Sequence, residues 1–449
     1  MTKPPRRTAP VGAGARLGLL FLFAVSSSCS LDRLLEIEDP DVATEESLLT
    51  EAALPVLHAG ALRDFQVAFS GHPSPDLQEG VVLLSGLLAD EFEHSGTFTS
   101  RRDIDRRVIV PSNVTSARVF AALHRARVAA RRATRAFEQL RPDDPRRAET
   151  LVIEGYAILY LAELFCSGVP LSEPRPDAPW VYGEPLSTTR LLEEARSRFI
   201  EARAHPTGTS GQRHLARLGE GRALLGLGQF SAAASAVAPV PTDFAWTLEH
   251  SENTLTQQNG IWFALNGVRR YRIADRKGGN GLPWRSSGDP RISWIELGSA
   301  FDPDLVAYGQ WLYPGRDSPV TPARGIEARL IQAEAALREG QLIAFVGHHN
   351  ELRERVEGLS PFTVGEVAAL SEAERLTLHF RERAFWLWQS GHRLGDLRRT
   401  VRHYGRSPSE VFPSGDHPRG GIFGSDVNFP IPAGEQNNPN AVGCLDRSA

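Results

Sequence analysis

Residues 220–237 read EGRALLGLGQFSAAASAV, and this stretch decides the fold. Gly221 has no side chain beyond a hydrogen atom, so it would let two helices approach each other closely. Gly228 would make a tight turn, after which Phe230 and Ala233 would pack back against the first helix. The stretch therefore predicts two short helices joined by a tight turn.

These spacings are those of a tetratricopeptide helix pair. Residues 335–342 (AALREGQL) repeat the pattern of residues 223–230 (ALLGLGQF), again with Gly-Gln and an apolar residue after a helix. Either match alone could be a coincidental helical hairpin. Because two matches lie so far apart, we expect degenerate helical-repeat units that are separated by insertions.

Helical periodicity dominates the first half of the chain. Residues 115–140 place small apolar side chains on one stripe and arginines opposite, with Thr115 or Ser116 as a candidate cap and Pro142 beyond the end. Three more helices are expected at 147–166, about 188–204 and about 211–227. The predicted fold class is mainly α, a tetratricopeptide-like helical-repeat scaffold.

Three stretches, at about 70–112, 240–322 and 404–449, interrupt this pattern. The second contains five of the eight tryptophans and is rich in Gly, Pro, Asn and Asp, with a short strand plausible at Val268–Ile273. Long irregular segments on a rigid scaffold commonly carry function. We therefore expect a loop-rich, irregular ligand-binding part.

The start of the chain has the pattern of an export signal. Basic residues are followed by the apolar run Leu17–Val25, which is shorter than the roughly 20 residues that span a bilayer, and then by three serines and Cys29. We interpret residues 1–28 as a signal peptide and Cys29 as the lipidated first residue of the mature protein. Ordinary secretion, with Cys29 incidental, is the alternative.

Net charge and cysteine content exclude some classes of function. The net charge is −4, and it becomes −8 without residues 1–28, which carry four positive and no negative charges. An acidic chain without a basic stripe does not favour nucleic-acid binding. No CxxC or HExxH spacing predicts a metal site, and no cofactor is expected. In an oxidising compartment, Cys166 and Cys444 would form a disulfide.

Several motifs, taken in order, resemble the SusD/RagB family of outer-membrane nutrient-binding lipoproteins. Residues 382–399 (ERAFWLWQSGHRLGDLRR) resemble the family's helix "E-x-G-x-R-x-x-D-L-R-R", although Leu394 replaces its usual aromatic residue. The other matching segments are Leu31–Pro40, Glu163–Leu171 (where Cys166 stands in place of the usual Tyr-Gly), Ala328–Ala335 with Asn350 and Leu352-Arg353, and Phe429–Pro432 with Glu435 and Asn438–Asn440.

This resemblance implies a single SusD-like domain over residues 29–449. It also implies a non-enzymatic lipoprotein, anchored in the outer membrane and facing the exterior, that binds an oligosaccharide or similar nutrient. Such a protein would deliver its ligand to a SusC-type TonB-dependent transporter. A periplasmic helical-repeat scaffold for protein–protein contacts is the alternative function, and a carbohydrate-active hydrolase has no support in the sequence.

The ligand-binding candidates come from residue chemistry, since sugar rings stack on aromatic planes and polar side chains bind their hydroxyls. Stacking candidates in the second irregular stretch are Trp262, Tyr271, Trp284 and Trp294, and their polar neighbours are Asp275, Arg276 and Asn280. The first irregular stretch adds Phe98, Arg101 and Arg102.

Two charged clusters have structural interpretations. The charges in residues 382–399 are expected to pair and fix the last helix, and Phe385, Trp386 and Trp388 are expected in the core. Asp90, Glu91 and Glu93 could be mistaken for a glycosidase pair, but no feature of the sequence fixes the carboxyl spacing that glycoside hydrolysis needs. We interpret these acids as a solvated face or a helix cap.

Overall fold

Helices form most of the chain in the computed structural model, which describes residues 49–73, 78–175 and 178–449. The α-helices are α1 (Leu54–Ser70), α2 (Val81–Leu88), α3 (Thr99–Asp105), α4 (Val114–Leu140), α5 (Arg146–Leu164), α6 (Thr188–Ala204), α7 (Ser210–Gly226), α8 (Phe230–Val237), α9 (Gly260–Trp262), α10 (Gly325–Arg338), α11 (Leu342–Arg353), α12 (Val364–Ala369), α13 (Glu372–Trp386), α14 (Arg393–Tyr404) and α15 (Pro408–Val411).

The strands form two-stranded antiparallel sheets. They are β1 (Phe92–His94), β2 (Val169–Pro170), β3 (Glu173–Arg175), β4 (Ala178–Val181), β5 (Pro185–Leu186), β6 (Ala245–Leu248), β7 (Tyr271–Ile273), β8 (Trp294–Ser299), β9 (Val306–Gln310) and β10 (Val320–Arg324). The pairs are β1 with β7, β2 with β5, β3 with β4, β6 with β10 and β8 with β9.

The hairpin predicted at 220–237 is confirmed as α7 and α8. Gly228 adopts φ +73° in the turn, and a β-carbon at Gly221 would lie 2.3 Å from a methyl group of Val237. The second match forms α10 and α11, joined through Gly340 at φ +70°. Helix α10 packs on both α7 and α8, so the two predicted units are neighbours despite the intervening insertion.

The expected N-terminal caps of α4 are wrong. Asn113 occupies the cap, and its side-chain oxygen accepts hydrogen bonds from the backbone N–H groups of Thr115 and Ser116, both at 3.1 Å. These two N–H groups lie in the first turn, where they have no partner within the helix. Helices α5, α6 and α7 begin and end within about two residues of the predicted bounds, as is usual for helix boundaries.

Residues 382–399 do not form one continuous helix. Helix α13 ends at Trp386 and α14 begins at Arg393, and between them Gln389 and Gly391 have φ values of 57° and 71°. This left-handed conformation cannot continue a right-handed helix. The prediction of a single helix was therefore wrong, although both halves are helical.

The stretch at 70–112 is more helical than expected, since it contains α2 and α3. Every residue of α2 is buried, so its sequence lacks the alternation of apolar and polar faces that reveals a surface helix. The plausible strand at Val268–Ile273 is present in shorter form as β7, which pairs with β1. The hairpin of β8 and β9 extends from the same region.

One large core joins the scaffold to the loop-rich part. It contains Phe65 of α1 and Tyr156 of α5 together with Tyr271, Trp284 and Phe429 of the irregular stretches. Phe385, Trp386 and Trp388 are buried, as predicted.

Cys166 and Cys444 form a disulfide, with their Cα atoms 5.7 Å apart. Backbone hydrogen bonds also join the two segments, because Ser167 N–H donates to the Asp446 carbonyl and Leu445 N–H donates to the Ser167 carbonyl. The end of the chain is thereby fixed beside the C-terminus of α5. In the described part of the chain, no helix combines the length and apolar character needed to cross a membrane. Cys29 and the predicted signal peptide lie outside the described residues.

Candidate functional site

The charged side chains between 382 and 399 form buried ion pairs. Arg383 donates two hydrogen bonds to Asp396 at 3.1 and 3.0 Å, and Arg399 donates two to Glu334 of α10 at 2.8 and 2.9 Å. Burial alone would raise the pKa of Asp396, but Arg383 and Arg399 hold it below its usual value. These groups connect helices, which agrees with the structural interpretation.

Asp90 and Glu91 are buried and cap no described helix, so the interpretation as a solvated face or a helix cap is wrong for these two acids. Arg393 donates two hydrogen bonds to the Asp90 carboxylate at 2.6 and 2.9 Å. A Glu91 oxygen accepts the backbone N–H of Gln389 at 3.0 Å, and burial raises the pKa of Glu91 to about 8. Glu93 is half-buried and pairs with Arg272 at 2.6 Å.

Trp284 is a core residue, which corrects its assignment as a stacking candidate. Its side chain is fully buried, and its indole N–H donates to the backbone carbonyl of Asp90 at 2.6 Å. It lies edge-on to Phe385 and stacks on Trp388, with ring centroids 5.3 and 6.5 Å away. These partners leave no face of the indole for a ligand.

Tyr271 and Arg101 are also buried, so they too are removed from the list of surface contacts. The Tyr271 hydroxyl donates to Glu79 at 2.9 Å, and burial raises the pKa of Tyr271 well above its usual value. Arg101 forms an ion pair with the same Glu79 carboxylate. This triad fastens α3 and β7 to the loop before α2.

Of the three polar candidates in the turn at 275–280, two shape the loop. Asp275 accepts the backbone N–H groups of Arg285 and Ser286, both at 3.0 Å. The Asn280 amide donates to three backbone carbonyls between residues 409 and 412. Arg276 is exposed, with φ 53°.

Trp294 lies on the surface of the β8–β9 hairpin, 39% exposed. The Tyr308 ring meets it nearly edge-on, with centroids 5.9 Å apart and planes at 80°. The Arg285 guanidinium carbon lies 3.6 Å from the Tyr308 ring centroid and 5.8 Å from that of Trp294. We call Arg285, Trp294 and Tyr308 the hairpin platform.

Two further tryptophans of the irregular stretch are at least partly exposed. Trp311 follows β9, is 54% exposed, and donates its backbone N–H to Ser293, the neighbour of Trp294. Trp262 is half-buried at the end of α9, with the Arg316 guanidinium 5.3 Å from its ring centroid.

A second aromatic cluster contains Phe98, which is 40% exposed. The Arg270 guanidinium carbon lies 4.6 Å from the Phe98 ring centroid and 3.6 Å from that of Phe301. Arg102, in the last turn of α3, is half-buried.

Sequence reasoning did not single out Arg285, Tyr308 or Trp311. Their roles depend on the pairing of β8 with β9, in which Glu296 opposes Tyr308 and Trp294 opposes Gln310. Burial alternates along 294–298 and 306–309, as in a hairpin with one exposed face, but apolar and polar residue types do not alternate there, so the sequence carries no clear period-two signal.

Two surface depressions lie outside the platform. A groove of about 570 Å³ runs between α1 and β6, with Gln66, Trp246 and His250 among its lining residues. The Trp246 indole donates to Glu149 at 3.3 Å, which places this tryptophan partly in the scaffold. A smaller depression of about 170 Å³ is lined by Asn280, Phe380 and Arg406, among others.

The architecture defines a class of protein, a helical-repeat scaffold that carries an irregular, aromatic-rich face. A SusD superfamily protein from Bacteroides fragilis matches it with a TM-score of 0.66 at 13% identity, over 88% of this chain and 99% of that chain. A SusD-like carbohydrate-binding protein from Bacteroides vulgatus ATCC 8482 matches with a TM-score of 0.64 at 14% identity, over 87% and 97% of the two chains.

A laminarin-binding SusD-like protein matches with a TM-score of 0.63 at 14% identity, over 88% of this chain and 99% of that chain. No protein-family model and no curated protein matches the sequence. The fold is of the SusD/RagB type, as the ordered motifs predicted.

Proposed function

We propose that this protein binds an oligosaccharide at the hairpin platform and does not transform it. The observation that carries the proposal is the exposed Trp294 on a SusD-type fold, beside the Tyr308 ring and the Arg285 guanidinium. An exposed aromatic ring can stack on the apolar face of a sugar without any rearrangement of the protein core. Solved neighbours described as carbohydrate-binding and laminarin-binding support a glycan as the ligand.

The proposal extends to where the protein works. Cys29 would carry the lipid anchor, and two or more acyl chains give stable membrane attachment. The protein would then face the cell exterior and deliver its ligand to a SusC-type TonB-dependent transporter. The support for this part is the signal-like N-terminus together with the SusD-type fold.

A glycan panel tests the binding proposal directly. The purified mature protein is titrated with neutral and charged oligosaccharides, and the mixtures are assayed for new reducing ends. Saturable binding of at least one glycan without release of reducing ends is expected. Turnover of a bound glycan, or the absence of binding throughout the panel, would contradict the proposal.

Anchoring and partnership need separate tests. Mass spectrometry of the mature N-terminus is expected to find a diacylated or triacylated Cys29. Affinity purification from detergent-solubilised outer membranes is expected to recover a large β-barrel transporter with this protein. A Cys29→Ser variant, which cannot be lipidated, is the matched control for both experiments.

A further inference from the structure

We infer that the bound glycan is anionic and that Arg285 recognises its carboxylate or sulfate groups. The inference rests on the proposed function, because it names the substrate class of the same platform. An arginine guanidinium is a planar fork of N–H donors that matches such anions with two parallel hydrogen bonds.

Three contacts fix the position of this fork. The guanidinium carbon of Arg285 lies directly over the Tyr308 ring, 3.6 Å from its centroid. The Arg285 Nε–H donates to the Ile273 carbonyl at 3.2 Å, and the Arg285 backbone N–H donates to Asp275. A side chain held in this way loses little conformational entropy on binding a ligand.

The outer nitrogens of this fork are not used by the described residues. No described carboxylate lies within 4.0 Å of the Arg285 guanidinium, and its one side-chain hydrogen bond uses Nε. By contrast, other arginines in the same region have acidic partners, since Arg272 pairs with Glu93 and Arg419 with Asp302, both at 2.6 Å. Arg285 is therefore positioned by the fold with its two terminal nitrogens available for an anion.

The surrounding charges would modulate this site without filling it. Arg276, in the turn that precedes Arg285, is exposed and has no ion pair with a described carboxylate. Two acids are near: Asp275, which accepts the Arg285 backbone N–H, and Glu296, which lies across the hairpin from Tyr308. Glu296 is exposed on the hairpin, so it would repel an anion bound at Arg285.

Trp294 and Arg285 are spaced for one ligand to touch both. With 5.8 Å between the guanidinium carbon and the Trp294 ring centroid, a sugar ring stacked on the indole can reach the fork with an acidic substituent. A neutral sugar would stack on the same indole but would provide no anion to pair with the Arg285 guanidinium.

The test compares three oligosaccharides of similar length by equilibrium titration. Oligogalacturonate supplies carboxylates, a carrageenan oligosaccharide supplies sulfates, and laminarin oligosaccharide is neutral. The native protein is expected to bind one of the two anionic ligands about tenfold or more tighter than the neutral one. That preference should weaken as salt rises, because screening reduces charge attraction at an exposed site.

Variants separate the charge from the stacking surface. Arg285→Gln is expected to weaken binding of the anionic ligand roughly ten- to hundredfold and to weaken binding of laminarin by a clearly smaller factor, since the neutral ligand loses a contact with the platform but no charge pair. Glu296→Gln should tighten binding of the anionic ligand, because it removes a repulsive charge at the platform. Arg190→Gln, an exposed arginine on α6, is the matched control and should change neither affinity.

The outcomes distinguish failure of the anionic inference from failure of the proposed glycan binding. If laminarin binds tightest, or if Arg285→Gln weakens the neutral and anionic ligands equally, the anionic inference fails and glycan binding stands. If none of the three ligands binds, the anionic inference fails, and the proposed function fails as well if no glycan of the wider panel binds. Which anionic ligand responds to Arg285→Gln identifies the recognised group as carboxylate or sulfate.

Discussion

Arg393 donates two hydrogen bonds to the carboxylate of Asp90, across 303 positions of the chain. The same carboxylate accepts the backbone N–H of Leu282, and the Asp90 carbonyl accepts the indole N–H of Trp284. Arg285 follows Trp284 directly. Helix α14 therefore helps to position the loop that carries Arg285, so the buried Asp90–Arg393 pair and the surface residue Arg285 are connected.

Breaking this pair should be costly. Asp90→Asn leaves the Arg393 guanidinium buried without its carboxylate, and loss of one partner of a buried pair typically costs about 3–5 kcal/mol. The free energy of unfolding, measured by urea titration, should fall by that amount. The control is Arg190→Gln, which removes the exposed ion pair with Glu193 and should cost less than about 1 kcal/mol. Equal effects of the two substitutions would contradict a stabilising role for the Asp90–Arg393 pair.

Glu91 should make stability depend on pH. Because burial raises its folded-state pKa to about 8 from a usual value of 4.5, the folded protein keeps a proton that the unfolded chain releases. This contribution to stability is complete below about pH 4.5 and is lost progressively as the pH rises towards 8.

Glu91→Gln removes that dependence without changing the side-chain shape. The difference in unfolding free energy between the variant and the native protein should therefore increase from pH 5 to pH 8 in favour of the variant. Comparing the two proteins cancels the opposite contribution of carboxylates with lowered pKa values, such as Asp396. A difference that stays constant over this pH range would show that Glu91 is ionised in the folded protein.

The disulfide should stabilise the fold strongly. Cys166 and Cys444 are 278 positions apart, and on the chain-entropy model a bridge that closes so long a loop contributes about 5 kcal/mol. Urea unfolding with and without a reductant should show a large loss of stability for the native protein. A Cys166→Ser, Cys444→Ser double variant should be insensitive to the reductant. Two titratable thiols in the unreduced native protein would contradict the bridge.

Gly221 should be required for the close contact between α7 and α8. A β-carbon there would lie 2.3 Å from a Val237 methyl group, so Gly221→Ala should destabilise by about 1–3 kcal/mol through overpacking. Gly347, which is exposed in α11, has no atom within 4 Å of its β-carbon position. Gly347→Ala should therefore stabilise by up to about 1 kcal/mol. Thermal unfolding of both variants compares the two sites, and opposite signs are expected.

The fold could be predicted because its signals are local. Gly228 and Gly340 mark turns between helices, and Gly221 marks a close approach of two helices. The charges of residues 382–399 mark the helices that their ion pairs connect. The break at Gln389 could not be predicted, because a non-glycine residue in the left-handed region is stabilised there by tertiary contacts such as the bond to Glu91.

The site was less predictable than the fold. Trp284 and Trp294 lie ten positions apart in the same irregular stretch, with similar local composition. The structure buries the first against Phe385 and Asp90 and leaves the second on a hairpin. The burial of Trp284 depends on contacts with residues about 100 to 200 positions away, and a local sequence pattern cannot reveal such contacts.

Calorimetric titration of the tightest-binding oligosaccharide into matched tryptophan and tyrosine variants tests the central claim most directly. If the hairpin platform binds glycan, Trp294→Ala should weaken affinity roughly tenfold or more. Tyr182→Ala, which removes a 42% exposed aromatic side chain between β4 and β5, should leave the affinity unchanged. Equal affinity in the native protein and the Trp294→Ala variant would contradict the account.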